Sequence, residues 1–264
     1  MSESLGLRPW LSAPATASVF DALEARGGAG CARVVGGAVR NAIMGQPVSD
    51  IDIATTLTPD EVTAALVAAG LKAIPTGIDH GTVTALAHGQ TLEITTLRRD
   101  VETDGRRAVV AFTTDWAEDA QRRDFTLNAL YADRDGTIHD PLGTGLAAAR
   151  AGQVVFVGEA RTRIAEDYLR ILRFFRFHAW YGRGAPDPEA LAACEALRDA
   201  LTDRPGERVC KELLKLLAAD DPRASVRLMA ETGVLAVILP PVDDLHDFEA
   251  LVEIESEMLF ECDP

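Results

Sequence analysis

Val35-Gly36-Gly37-Ala38-Val39-Arg40-Asn41, followed closely by Asp50-Ile51-Asp52, is the stretch that decides the fold. Residues 32–36 are apolar enough for a buried strand, and residues 38–44 have the composition of a short helix that ends at Gly45. The two glycines therefore lie at a strand-to-helix junction, where a ligand can approach the main chain closely. Unpaired N–H groups and the positive end of the helix dipole predict an anion site there.

Asp50 and Asp52 belong to a second predicted strand, over residues 50–55. Because side chains alternate along a strand, both carboxylates are expected on one side and Ile51 and Ile53 on the other. Two neighbouring carboxylates repel each other unless a cation joins them, and hard divalent ions prefer oxygen ligands. Alone, the glycine pair is typical of a turn and the Asp pair of a solvated strand end. Together, and in this order, they favour nucleotidyl transfer.

Four stretches resemble the signatures of the class II tRNA nucleotidyltransferase and bacterial poly(A) polymerase family, within the polymerase β-like nucleotidyltransferase superfamily. The stretches are residues 36–40 with 50–52, 93–98, 122–129 and 166–173. They occur in family order and cover roughly residues 31–180. The resemblance implies an α+β fold. A polymerase β-like nucleotidyltransferase palm, which is a mixed sheet with flanking helices, would be followed by an all-α neck and body.

The resemblance also implies roles for single residues. Asp50 and Asp52 would be catalytic and bind Mg²⁺, and Glu93 would supply a third catalytic carboxylate near the metal. The residues implied to bind the nucleotide are Gly36, Gly37, Arg40, Arg123, Asp124, Asp167, Arg170, Arg173 and Arg176. Gly36, Gly37 and Arg40 would hold the triphosphate, and Arg123 and Asp124 would contact the nucleotide near its ribose.

The nucleobase would be recognised without a nucleic-acid template. By family analogy, Asp167 and Arg170 offer acceptor and donor groups to a cytosine or adenine edge. Arginines that recur every three residues on a helix are otherwise typical of a salt-bridged surface. Asn41 departs from the family pattern, which has Asp after Arg40. Because asparagine keeps an acceptor but no charge, an ion pair made there, for example with an arginine, is weakened.

The composition is that of a globular chain. It has 264 residues, and 47% of them are hydrophobic. The sequence contains no apolar run of transmembrane length and no basic-then-apolar signal segment at its start. We therefore expect a cytoplasmic protein that does not interact with membranes. Its four scattered cysteines predict reduced thiols. The net charge of −15 opposes RNA binding. Clustered arginines nevertheless predict a basic cleft on an acidic body; they are Arg98, Arg99, Arg106, Arg107, Arg122, Arg123, Arg161, Arg163, Arg170, Arg173, Arg176 and Arg183.

The expected organisation is a leading helix within residues 1–30, a catalytic palm over 31–158, and a helical neck and body over 159–264 that lacks the family's tail. The leading helix is predicted over 12–26, and Thr58-Pro59-Asp60-Glu61 predicts the start of a helix over 59–69. Residues 133–136 predict a hairpin turn, and Asp124 the N-cap of a helix that begins at residue 125. The remaining predictions are strands over 71–75, 82–87, 91–98, 108–113 and 152–157 and a helix over 164–177.

The polar segment Arg98–Arg107 is predicted to be a loop that joins two strands. In the family, a loop in this place assists the switch from CTP to ATP, so its presence favours CCA or A addition over CC addition. The sequence therefore predicts a tRNA nucleotidyltransferase that transfers CMP and AMP from CTP and ATP to the tRNA 3′ end. A bacterial poly(A) polymerase and a catalytically inactive RNA- or nucleotide-binding relative remain open, as does the oligomeric state.

Overall fold

A computed structural model of the chain describes residues 3–6, 8–104, 107–242 and 244–261. They form two compact units, Met1–Ala151 and Gly152–Pro264. The first combines a mixed sheet with helices, and the second is helical. The palm-then-helices architecture predicted from the sequence is confirmed. The boundary expected near residue 158 lies a few residues beyond the observed division.

In the first unit the helices are α1 (Pro14–Gly27), α2 (Gly37–Met44), α3 (Pro59–Ala68), α4 (Trp116–Gln121) and α5 (Gly145–Ala151). The strands are β1 (Ala32–Val35), β2 (Asp52–Thr55), β3 (Lys72–Gly77), β4 (Thr82–Ala87), β5 (Gln90–Thr96), β6 (Arg98–Asp104), β7 (Arg107–Phe112), β8 (Tyr131–Ala132) and β9 (Ile138–His139). Within the described residues, one sheet has the strand order β3-β4-β5-β2-β1-β8-β9. Strands β6 and β7 form a separate two-stranded ribbon.

The predicted strand, glycine turn and helix are confirmed as β1, Gly36 and α2. Strand β1 runs antiparallel to β2, and β2 runs parallel to β5. The predicted strand over 50–55 is too long, because β2 begins at Asp52. Asp52 pairs with Val35, the last residue of β1 before the chain turns at Gly36, so β1 offers Asp50 no partner. Asp50 therefore lies in the loop that precedes the strand.

The segment from residue 98 to 104, predicted as a loop, is strand β6. It pairs with β7 from Arg98 opposite Phe112 to Asp104 opposite Arg107, with an irregularity between Asp100 and Glu102. An extra residue accommodated in one strand lets a polar sequence with imperfect alternation still form a ribbon. Residues 105 and 106, which separate the two strands in the sequence, lie outside the described residues.

The turns and helix caps predicted from the sequence are confirmed only in part. The start of α3 is confirmed, since Thr58 and Glu61 form a reciprocal capping box. The 133–136 turn is confirmed between β8 and β9. The helix expected from residue 125 is instead a single 3₁₀ turn, Thr126–Asn128, and Asp124 is not its N-cap. The Asp124 carboxylate accepts hydrogen bonds from Phe125 N–H and from the Asn128 side chain. Residues 152–157 do not form the expected strand.

The second unit contains α6 (Ala160–Glu166), α7 (Arg170–Tyr181), α8 (Pro188–Leu197), α9 (Gly206–Leu217), α10 (Arg223–Glu231), α11 (Val234–Ile238) and α12 (His246–Glu261). The single helix predicted over 164–177 is broken between α6 and α7. Asp167 adopts extended backbone angles, φ −152° and ψ 106°, and its carboxylate accepts from Leu169 N–H at 3.2 Å. Such local side-chain bonding competes with helical hydrogen bonding. Among the described residues, no helix is both long and apolar enough to cross a membrane.

Candidate functional site

Three carboxylates of the first unit line one cleft, which has a volume of about 930 Å³. Asp50 lies in the loop before β2, Asp52 is the first residue of β2, and Glu93 is opposite Asp52 on β5. All three are exposed, and the Ser49 hydroxyl donates to the Asp50 carboxylate at 3.2 Å. The parallel pairing of β2 with β5 therefore brings together the acidic residues predicted from the sequence.

Like charges act on one another in this group. The pKa of the Asp52 carboxyl is raised because the surrounding protein removes part of its hydration and because Glu93 and Asp50 are negative, while Arg123 opposes the rise. A divalent cation would relieve this repulsion, so the donor chemistry fits Mg²⁺. In the described part of the chain, no three His, Cys, Asp or Glu side chains are arranged to hold a metal ion. The Mg²⁺ site stays a prediction.

The glycine turn lies beside Arg123. Gly36 has a φ of +67°, and a Cβ built on it would lie 3.7 Å from Arg123 Nη1 and 3.6 Å from the Asn128 carbonyl oxygen. Gly37 is the first residue of α2. The positive φ explains why glycine is used at position 36, and its missing side chain leaves the guanidinium close to the main chain. A helix N-terminus with an adjacent arginine suits a polyanion.

A buried carboxylate that the sequence reasoning missed holds Arg123 in place. Asp119, on α4, is 1% exposed. It accepts from Arg123 Nη2 at 2.9 Å and Nε at 3.2 Å, from Arg122 Nη2 at 2.6 Å, and from the Tyr131 hydroxyl at 2.7 Å. Its spacing of three and four residues before the two arginines, on a short helix, is a signal that the sequence carried.

The charge state of Asp119 follows from these contacts. Burial alone would raise the pKa of its carboxyl, but the charges of Arg123 and Arg122, together with the Tyr131 hydrogen bond, lower it to about 2. Asp119 is therefore ionised at neutral pH, and its charge offsets part of the positive charge of the two arginines. Arg123 is oriented before any ligand arrives.

Arg40, predicted to bind triphosphate, is 6% exposed. Its guanidinium donates to Asn41 Oδ1 from Nη2 at 2.8 Å and from Nε at 3.1 Å, and to Asn128 Oδ1 from Nη1. The arginine expected to interact with position 41 is thus its own neighbour, and it makes neutral-acceptor hydrogen bonds there in place of an ion pair. Arg40 connects α2 to the 3₁₀ turn that follows Asp124.

In the second unit, Asp167 lies between helices and Arg170 begins α7. Asp167 accepts from Arg208 Nη2 of α9 at 3.1 Å, whereas Arg170 forms an ion pair with Glu166 and donates to the Arg163 carbonyl. The expectation that both lie on one continuous helix is wrong. Glu166 and Arg208 are further polar groups at this place that the sequence reasoning did not single out.

Arg173 and Arg176 lie further along α7. Arg176 Nε is 2.7 Å from Glu212 of α9, Arg173 Nη1 is 3.9 Å from the same carboxylate, and both guanidiniums lie over the Phe177 ring. The carboxylate near Arg173 and Arg176, that of Glu212, is not among the ion-pair partners of Asp167 and Arg170 given above. These contacts are typical of helix packing, so the nucleotide-binding role predicted for Arg173 and Arg176 stays a prediction.

Comparison with known proteins places these features in a family. Residues 32–155 match the poly A polymerase head domain, and residues 185–245 match the probable RNA and SrmB-binding site of polymerase A. The chain is 44% identical over 224 residues to CCA tRNA nucleotidyltransferase 1, mitochondrial, of Homo sapiens, covering 82% of this chain and 51% of that protein. It is 39% identical over 207 residues to a CCA-adding enzyme of Geobacillus stearothermophilus, covering 77% and 50%.

A solved structure agrees with these similarities. The Bacillus stearothermophilus CCA-adding enzyme in complex with CTP superposes with a TM-score of 0.79 at 34% identity, covering 93% of this chain and 58% of that one. The chain belongs to the family of CCA-adding tRNA nucleotidyltransferases and bacterial poly(A) polymerases. It spans about half the length of these curated relatives.

Proposed function

We propose that this protein is a nucleotidyltransferase that adds CMP and AMP, from CTP and ATP, to tRNA lacking its 3′-terminal CCA. One observation carries the proposal: Asp50, Asp52 and Glu93 line one cleft, and Arg123, whose charge acts on Asp52, adjoins the Gly36 turn. An acidic group beside an anion-binding turn is what nucleotidyl transfer requires. The names of the relatives support tRNA and these nucleotides as substrates.

The triphosphate is assigned to the Gly36-Gly37 turn, the N-terminus of α2 and the guanidinium of Arg123. Because Asp119 and Tyr131 fix Arg123 before substrate binds, little reorganisation is needed when charge develops on the phosphates. Arg40 stabilises the turn from within the protein, and Asp124 contacts the ribose side of the nucleotide.

Asp50 and Asp52 are the residues we propose to hold Mg²⁺, with Glu93 as a third carboxylate nearby. Mg²⁺ held by these carboxylates would supply Lewis-acid chemistry, which lowers the pKa of the primer 3′-hydroxyl and offsets charge on the triphosphate and the leaving pyrophosphate. The two carboxylates would hold the ion. Its binding would offset the negative charges of Glu93 and Asp50, which, after loss of hydration, contribute to the raised pKa of Asp52. Loss of either carboxylate is expected to abolish transfer.

Asp167 and Arg170 are proposed to recognise the nucleobase. A carboxylate accepts from an exocyclic amine such as cytosine N4 or adenine N6, and a guanidinium donates to ring nitrogens or a carbonyl. Arg208 and Glu166 hold these two groups in the structure and would give up contacts as the base binds. Arg173 and Arg176 remain proposed contributors from the same helix.

Two alternatives stay open. The match to a poly A polymerase head domain favours, as a second candidate, a polymerase that adds AMP to RNA 3′ ends. A catalytically inactive nucleotide- or RNA-binding relative is a third reading, for which Asn41 is the sequence argument. The expectation of a cytoplasmic location rests on the sequence alone, and the relatives include a protein named as mitochondrial.

Sequencing of reaction products separates the three candidates. The protein is incubated with Mg²⁺ and a tRNA transcript that ends before CCA, with each nucleoside triphosphate alone and with CTP and ATP together. CTP alone should add two cytidines, and both nucleotides together should complete CCA. Long adenosine tails would identify a poly(A) polymerase, and absence of incorporation under all conditions would favour the inactive relative.

A further inference from the structure

The sequence contains two asparagines, Asn41 and Asn128, and the side chains of both donate and accept in one continuous hydrogen-bond network. Asn128 Nδ2 donates to Asp124 Oδ1 at 3.1 Å, and Asn128 Oδ1 accepts from Arg40 Nη1. On its other side, Arg40 donates to Asn41 Oδ1, and Asn41 Nδ2 donates to the Pro47 carbonyl at 2.8 Å. This polar relay, Asp124-Asn128-Arg40-Asn41-Pro47, joins three separate segments of the first unit.

The relay ends at the loop that carries a catalytic carboxylate. Residues 46–51 connect α2 to β2 and include Asp50. Asn41 contacts this loop twice. Its main-chain carbonyl accepts from Gln46 N–H at 2.8 Å, and its side-chain amide nitrogen donates to the Pro47 carbonyl. At the opposite end of the relay, Asp124 follows Arg123 directly. The hydrogen bonds therefore connect the segment proposed to contact the nucleotide with the loop proposed to hold Mg²⁺.

The relay uses both polar atoms of each asparagine side chain. Each amide oxygen accepts from the Arg40 guanidinium, and each amide nitrogen donates to an oxygen acceptor. Aspartate at position 41, the residue of the family pattern, would keep the acceptor for Arg40 and lose only the bond to Pro47. Alanine at either position would remove every bond that the side chain makes within the relay.

We propose that Asn41 is a positioning residue that fixes the Asp50 loop relative to the Arg123-Asp124 segment through this relay. It touches no substrate in this assignment and acts through Arg40 and Pro47. The consequence for catalysis rests on the proposed nucleotidyl transfer. The consequence for the loop itself does not, since it follows from the hydrogen bonds alone.

The first experiment compares Asn41→Ala with wild type by steady-state incorporation of CMP. We expect kcat to fall by about ten-fold, the equivalent of about 1.4 kcal/mol of lost positioning, while KM for CTP changes by less than about two-fold. Thr63→Ala is the control, because Thr63 also donates to a proline carbonyl, that of Pro59, at 2.8 Å in the same unit, within α3. An Asn41→Ala variant with wild-type kcat would overturn the proposal.

The second experiment reads the loop without any catalytic assay. Hydrogen exchange of a peptide covering residues 46–52 should be faster in Asn41→Ala than in wild type and unchanged in Thr63→Ala. Equal exchange would overturn the relay even if the enzyme is active. A variant that no longer folds would also contradict the proposal, since Asn41 would then support the whole unit. If wild type shows no incorporation, the proposed function fails, and the exchange result still decides on the relay.

A double-variant cycle tests whether the relay acts as a unit. Asn41→Ala and Asn128→Ala each remove one of the two side-chain oxygens that accept hydrogen bonds from Arg40 in the relay. If both act through Arg40, the double variant should lose about as much kcat as the worse single variant. Losses that multiply would show that the two asparagines act independently and would refute the coupling.

Discussion

Asp119→Asn is the substitution whose effect the structure determines most sharply. The carboxylate is 1% exposed and compensates two arginines, Arg122 and Arg123, while it also accepts from Tyr131. Asparagine keeps one acceptor oxygen but removes the charge and turns an N–H group toward other donors. Breaking a buried ion pair by removing one partner costs about 3–5 kcal/mol. At about 2–4 °C per kcal/mol for a chain of this size, the melting temperature should fall by about 6–20 °C.

Calorimetry and urea unfolding measure the effect against a matched control. Asp21→Asn removes a carboxylate that also pairs with an arginine, Arg134, but whose side chain is 66% exposed. An exposed ion pair contributes at most about 1 kcal/mol, so the control should be almost neutral. Equal changes in the free energy of unfolding for the two variants would refute the assignment of Asp119 as the buried anchor of Arg123.

The same carboxylate predicts an acid limit of stability. Its pKa of about 2 in the folded protein lies below the ordinary value of 3.8, so folding favours the ionised form. The stabilisation is complete above about pH 4 and is lost as the pH falls toward 2. Wild type should therefore lose more stability than Asp119→Asn across this window. Parallel pH profiles would contradict the depressed pKa.

The remaining predictions concern nucleotide selection, the β6–β7 ribbon and the metal. Asp167→Ala or Arg170→Ala should reduce the preference for CTP and ATP over UTP and GTP by about ten-fold or more, measured with all four triphosphates, and unchanged preference would make this region purely structural. Replacing Thr103–Ala108 by Asn-Gly shortens the β6–β7 ribbon and keeps the Glu102–Val109 pair. This variant should still add the cytidines but add less of the terminal adenosine. Equal loss of cytidine and adenosine addition would contradict a role of the ribbon in switching from CTP to ATP. Chelation by EDTA should abolish incorporation and excess Mg²⁺ restore it, and activity that persists in EDTA would contradict the metal assignment.

The order of elements around the glycine turn could be predicted from the sequence, because apolar runs, glycines and carboxylates there obey local rules. The parallel pairing that brings Glu93 opposite Asp52 does not follow from such rules, and only the family resemblance suggests it. The break at Asp167 could not be predicted either, since the apolar pattern of α6 and α7 continues across it while a side-chain hydrogen bond ends the helix.

The ion pairs of Asp119 and the relay through Arg40 differ in how far the sequence predicts them. Asp119 precedes its arginine partners by one helical turn, and that spacing alone is enough to suggest the ion pairs. The Arg40 contact with Asn128 joins residues far apart in the chain, and no periodicity reports it. Asn41 stands out in the sequence as a departure from the family pattern, but its bond to Pro47 depends on the course of a loop.

Asp50 and Asp52 are proposed to catalyse nucleotidyl transfer, and one measurement tests this role most directly. Wild type, Asp50→Asn and Asp52→Asn are compared for CMP and AMP incorporation into tRNA that ends before CCA, at equal concentrations of protein shown to be folded. Both carboxylates are exposed at the cleft, so the variants should retain wild-type melting temperatures. We predict extension by wild type and a loss of at least about 1,000-fold in both variants, because each would remove a carboxylate proposed to hold the metal. Extension by either variant at the wild-type rate would contradict the account.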